Sequence, residues 1–169
     1  MPETPQQYTQ RMLSYTDKKE PLAMQQAAPK KLAALLRGKT KRQLTRRPAP
    51  GKWSVAEILA HLADAEVAIS WRLRQIVSSN GVAIQAFDQD AWAATMDYQH
   101  RDPKQSLDTY RALRETNIAV LKSISKELWA NYGVHQERGN ESISHIVSMT
   151  AGHDVNHFLQ AQKILKKAR

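Results

Sequence analysis

Trp53-Ser54-Val55-Ala56-Glu57-Ile58-Leu59-Ala60-His61-Leu62-Ala63-Asp64-Ala65-Glu66 is the stretch on which the fold turns. Ser54 followed by Glu57 is the capping-box pattern that starts a helix, and Trp53 is the apolar residue just outside it. Val55, Ile58, Leu62, Ala65, Ile69, Leu73 and Ile76 then recur at helical spacing until Asn80-Gly81 ends the run. An apolar stripe of that length must be covered by other elements.

The rest of the chain supplies three more helical blocks. One runs from about Pro5 to Arg37, with a break or kink expected near Pro21 or Pro29 and a stop at Gly38. The connection after it ends in Pro48-Ala49-Pro50-Gly51, a rigid extended turn. Another block follows Asp102-Pro103, a cap plus first-turn proline, and carries Leu107, Tyr110, Leu113, Ile118, Leu121 and Ile124 towards Trp129. The last opens at Ser142, after a polar loop from Gly133 to Glu141, with Ile143, Val147, Thr150, His157, Phe158, Ala161 and Leu165 as its stripe. Phe87 to Trp92 admits a short helix. No run alternates convincingly with a period of two, so the expectation is an all-α four-helix bundle in a single domain spanning 1–169.

Composition narrows the function. The chain of 169 residues has no cysteine, which excludes disulfides and thiolate–metal sites. No signal-like or membrane-length apolar run is present, so a cytoplasmic protein without membrane partners is expected. The net charge of +9 is concentrated between Glu20 and Glu57. That acid-free interval holds Lys30, Lys31, Arg37, Lys39, Lys41, Arg42, Arg46, Arg47 and Lys52, and the remainder of the chain balances to zero. No aromatic–basic interleaving accompanies these cations, so a solvated helix end and loop is favoured over a nucleic-acid partner. A weaker alternative is that they attract an anionic substrate.

The chemistry-bearing signal is histidine. His153 and His157 are one helical turn apart, and His61 sits at the shoulder of the stripe that begins at Val55. Imidazoles at such positions lose hydration on burial and need partners. A shared divalent metal would satisfy all three; separate hydrogen bonds within the core would serve as well. Asp154 lies near the centre of the last stripe, where it would either orient an imidazole or pair with an arginine, Arg72 or Arg138. His100, His135 and His145 read as ordinary unless their loops fold over the site.

Gly51 to Glu66 resembles the second-helix signature of the DinB-like (DinB/YfiT-like) metalloprotein family. Ala151-Gly152-His153-Asp154-Val155-Asn156-His157 resembles its fourth-helix signature, and His135-Gln136-Glu137-Arg138-Gly139 a loop of one bacterial subgroup. The resemblance implies a four-helix bundle with a long crossover connection, a homodimer, and a three-histidine zinc or nickel site at His61, His153 and His157. It implies a metal-dependent enzyme of the thiol-dependent S-transferase or hydrolase type, acting on a small molecule. Without cysteine, a transferase would require an external low-molecular-weight thiol. Asp154, Glu57, Glu66 and Glu137 are the candidate acids or bases. The alternative is a non-catalytic bundle stapled by metal, with a structural or stress-response role.

Overall fold

The computed structural model describes residues 3–167. Its helices are α1 (Pro5–Ser14), α2 (Pro21–Leu36), α3 (Lys41–Thr45), α4 (Val55–Ser78), α5 (Gln89–Thr95), α6 (Pro103–Ser123) and α7 (Ile143–Lys167). Short 3-10 turns lie at Tyr98–His100 and Glu127–Ala130. The starts follow the expected chemistry. Ser54 and Glu57 form a reciprocal capping box on α4, and the Asp102 side chain accepts from the Gln105 N–H at the head of α6. The first block is two helices, broken before Pro21, whereas Pro29 is accommodated inside α2. Gly38, at φ +72°, turns the chain out of α2.

Helices α2, α4, α6 and α7 form the bundle. Going round it, α4 packs on α6, α6 on α2, α2 on α7, and α7 on α4. The bundle helices that follow one another as α2 then α4, and as α6 then α7, are therefore diagonal. The segment carrying α3 crosses the bundle between α2 and α4, a long crossover connection. Helix α1 lies along α7.

One feature departs from an all-helical reading. β1 (Val82–Ile84) pairs in parallel with β2 (Tyr132–His135), which pairs antiparallel with β3 (Gly139–Ser142). The segment expected to be a polar loop is thus a hairpin. Strands of three or four residues are too short to show alternation, and β1 finds its partner far along the chain.

The core comes in two apolar parts. One gathers Leu32, Ile58, Leu59, Leu62, Tyr110, Ala161 and Leu165; the other gathers Leu73, Ile76, Ile84, Leu121, Ile143 and Val147. Between them each bundle helix buries polar side chains: Gln25 on α2, His61 and Glu66 on α4, Arg114 and Asn117 on α6, Asp154 and His157 on α7. The candidate site lies in this polar layer. No described helix is long and apolar enough to cross a membrane.

Candidate metal centre

Helix α7 starts where the Ser142 hydroxyl accepts the His145 N–H at 3.1 Å, which sets the register of everything after it. Nearly three turns on, Gly152 lets the backbone of α1 lie directly against α7: a Cβ there would stand 2.0 Å from the Met12 carbonyl oxygen. His153 and His157 follow on the face turned toward α4, where His61 projects. His61 and His157 are buried, and His153 is partly exposed.

The three rings converge. His153 Nε2 lies 2.9 Å from His61 Nε2 and 3.1 Å from His157 Nε2. Two zinc–nitrogen bonds of ~2.0–2.1 Å meeting at a right angle span ~2.9 Å, and at a tetrahedral angle ~3.3 Å, so this spacing matches a shared cation. His157 Nδ1 is 2.9 Å from the Gln160 amide oxygen. An amide oxygen only accepts, so Nδ1 carries the proton and Nε2 presents its lone pair. Trp53 packs on the His61 ring with centroids 5.0 Å apart. His61 Nδ1 has no protein partner. A proton there frees its Nε2 lone pair, so the donor set fits a divalent ion.

Electrostatics favour neutral rings. Burial, helped by nearby His157, pushes His61 down to about 3. Burial takes His157 down to about 4 against the raising effect of Gln160, and takes His153 well below its ordinary value. The neutral imidazole is the form that ligates a metal. A cavity of about 460 Å³ opens on His61 and His153, walled by α1, α4, the α4–α5 connection and the β2–β3 hairpin.

The four candidate carboxylates fare differently. Glu57 receives the Ser54 N–H at 2.8 Å and pairs with Arg47 from the crossover connection. Burial would raise its pKa, but Arg47 and Ser54 hold it below the usual range. Glu66 takes two hydrogen bonds from Arg114, at 2.9 and 2.8 Å, and one from Asn117 at 2.8 Å. Asp154 pairs with Arg114 too and receives the Tyr110 hydroxyl at 2.8 Å. Its arginine partner is therefore Arg114, not Arg72 or Arg138, because Arg114 reaches across the core from the diagonal helix α6. Only Glu137 of the four lines the cavity.

The sequence pattern of the DinB superfamily matches residues 25–161. The chain belongs to the DinB superfamily. Its relatives include proteins named "putative metal-dependent hydrolase". One, from Oceanobacillus iheyensis, is 26% identical over 117 residues, covering 69% of this chain and 67% of that protein. Another, YfiT of Bacillus subtilis, is 27% identical over 99 residues, covering 59% of this chain and 56% of YfiT. The solved structure of YfiT, described as "a probable metal-dependent hydrolase with an unusual four-helix bundle topology", superposes with a TM-score of 0.81 at 20% identity. That match covers 88% of this chain and 85% of the YfiT chain. At that identity the likeness is one of fold.

In this DinB-superfamily protein the hairpin does fold over the site, so His135 belongs to the cavity wall. It is buried, and its Nδ1 accepts the Glu137 N–H at 3.2 Å. Its register partner on β1 is Ile84, a pairing with a segment some fifty residues earlier that no local pattern announces. None of the nine cations between Lys30 and Lys52 lines the cavity. The cationic residues that do are Arg72 and Arg138.

The depressed histidines set a pH dependence of stability. Unfolding returns each ring to a value near 6.5, so below that pH the unfolded chain binds more protons than the native one. Stability of the metal-free DinB-superfamily chain is thus complete above pH 6.5. It falls as pH drops toward 3–4, at up to ~1.4 kcal/mol per pH unit for each histidine. Urea midpoints measured at pH 7, 6 and 5 check this; a flat series would contradict it.

Proposed function

We propose that this chain is a metal-dependent enzyme, a hydrolase or a thiol-dependent transferase, whose ion is held by His61, His153 and His157. The convergence of three Nε2 atoms, two of them from histidines that line an open cavity, carries the reading. A bound divalent ion supplies Lewis acidity that activates water or an external thiol toward a small-molecule substrate. Zinc and nickel both suit three imidazoles.

The chain's own residues do the rest. Gln160 fixes the His157 tautomer, and Trp53 packs against the His61 ring, while His153 faces the cavity. Glu137, exposed and alone of the four candidate carboxylates in lining the cavity, is the one we assign to take or return a proton. Glu57, Glu66 and Asp154 have their oxygens engaged by Arg47 or Arg114 and serve to position the helices. The cavity favours an enzyme over a stapled bundle, which needs no such opening. The homodimer implied by the family resemblance belongs to the same proposal, with Val67 and Trp71, exposed a turn apart on α4, as apolar surface available to it.

Elemental analysis of protein made without a histidine tag tests the reading, with about one zinc or nickel per chain expected. Gln160→Leu is expected to weaken metal binding by ~10–100-fold, and His153→Ala by more. Metal-free wild-type protein that takes up neither ion from solution would refute the proposal.

A further inference from the structure

The cavity holds a charged feature that the three histidines do not account for. Arg72 lies on α4 three turns beyond His61, is 9% exposed, and lines the cavity. Its guanidinium donates to the Gln85 carbonyl and stacks over the Phe87 ring with 5.5 Å to the centroid. Among the described residues no carboxylate lies within 4.0 Å of it. Glu141, nearby, is engaged by Arg138 through bonds of 2.6 and 3.0 Å. A guanidinium shielded from water with no anion beside it is costly to keep.

The same cavity wall holds a donor with no partner. His135 is 2% exposed, and because its Nδ1 accepts the Glu137 N–H, its proton sits on Nε2. That atom is buried and has no partner. Burial and the neighbouring Arg138 keep the ring neutral. The acidic residues around the cavity do not fill this gap. Glu3 is paired with Arg11, Glu141 with Arg138, and Asp88 caps α5, while Asp90 and Glu137 are exposed.

We propose that Arg72 and His135 form a receptor for an oxyanion, the carboxylate or phosphate of a small molecule, in the cavity wall beyond the three histidines. Calling that molecule the substrate rests on the metal-dependent reading above. Helix rise separates the Cα atoms of His61 and Arg72 by about 16 Å, and the arginine side chain leans back toward the helix start. A ligand with its anion on Arg72 therefore extends its other end toward His153. The receptor selects elongated, singly tailed anions over neutral molecules of the same length.

The test is titration of 15N-labelled, metal-free protein with inorganic phosphate and, separately, with succinate, following the Arg72 Nε–H resonance. One or both anions are expected to shift that resonance in a saturable way, and which one does so distinguishes phosphate from carboxylate. Arg72→Met should weaken binding roughly tenfold or more, and Arg72→Lys less. An Arg72 signal unmoved by both anions overturns the proposal even if Arg72→Met fails to fold; so does wild-type affinity in a folded Arg72→Met. Wild-type protein that binds phosphate through Arg72 yet takes up neither zinc nor nickel refutes the metal reading and leaves the receptor standing. Zinc uptake with anion binding indifferent to Arg72 does the reverse.

Discussion

Replacing Arg114 by methionine should cost the fold ~3–5 kcal/mol, the usual penalty for removing one member of a buried ionic group. Arg114 is 1% exposed and reaches every helix of the bundle. It binds Glu66 on α4 and Asp154 on α7, donates to the Gln25 carbonyl on α2, and itself belongs to α6. Its loss leaves two carboxylates buried without a cation. The penalty lies in those stranded charges, so adding Glu66→Gln and Asp154→Asn to Arg114→Met should recover much of it. Urea denaturation of the single and triple variants measures both effects. A single variant within ~1 kcal/mol of wild type would show that water or a proton compensates instead.

Asp154 sits between the two histidines of α7 in sequence, so its anchorage to Arg114 fixes how that helix is rotated. With Asp154 held toward α6, His153 and His157 are turned toward α4 and His61. The ionic group and the three-histidine set are thus parts of one layer.

Gly152→Ala should be nearly as damaging, for a steric reason. The added carbon would stand 2.0 Å from the Met12 carbonyl oxygen and 2.7 Å from its carbonyl carbon. Both are backbone atoms of α1, so no side-chain rotation relieves the clash. Helix α1 must move off α7, breaking the Arg11–Asn156 bond of 2.7 Å and carrying Glu3, Thr4 and Tyr8 away from the cavity wall. A cost of about 3 kcal/mol is expected, the upper range for overpacking. For a chain of this size that lowers the melting temperature by roughly 6–12 °C. Faster proteolysis between Tyr15 and Glu20 should accompany it. Melting within ~2 °C of wild type would mean that α1 is seated elsewhere.

The helices of the bundle were legible because their ends carry local chemistry. Ser54 with Glu57, Asp102 with Pro103, and Gly38 each act within a few residues, so neighbours in sequence suffice to read them. The three histidines stood out as polar residues at or beside apolar stripes. What stayed hidden depends on contacts distant in the chain. Arg114 looks like any charged residue of α6 until Glu66 and Asp154 arrive from two other helices. The parallel pairing of Val82 with Gly133 has no local signature, so the sheet, and with it the burial of His135, was invisible. Three of the four candidate acids were real as buried carboxylates, yet sequence could not tell which ones an arginine already held.

The diagonal placement of successive bundle helices has a consequence for how the molecule comes into being. A chain divided after α4 would have, in each fragment, two long helices that are not side by side in the finished bundle. Neither piece could hide its greasy faces alone, so each half needs the other to fold. His61 belongs to the first piece and His153 with His157 to the second, so the centre is created only when the two meet.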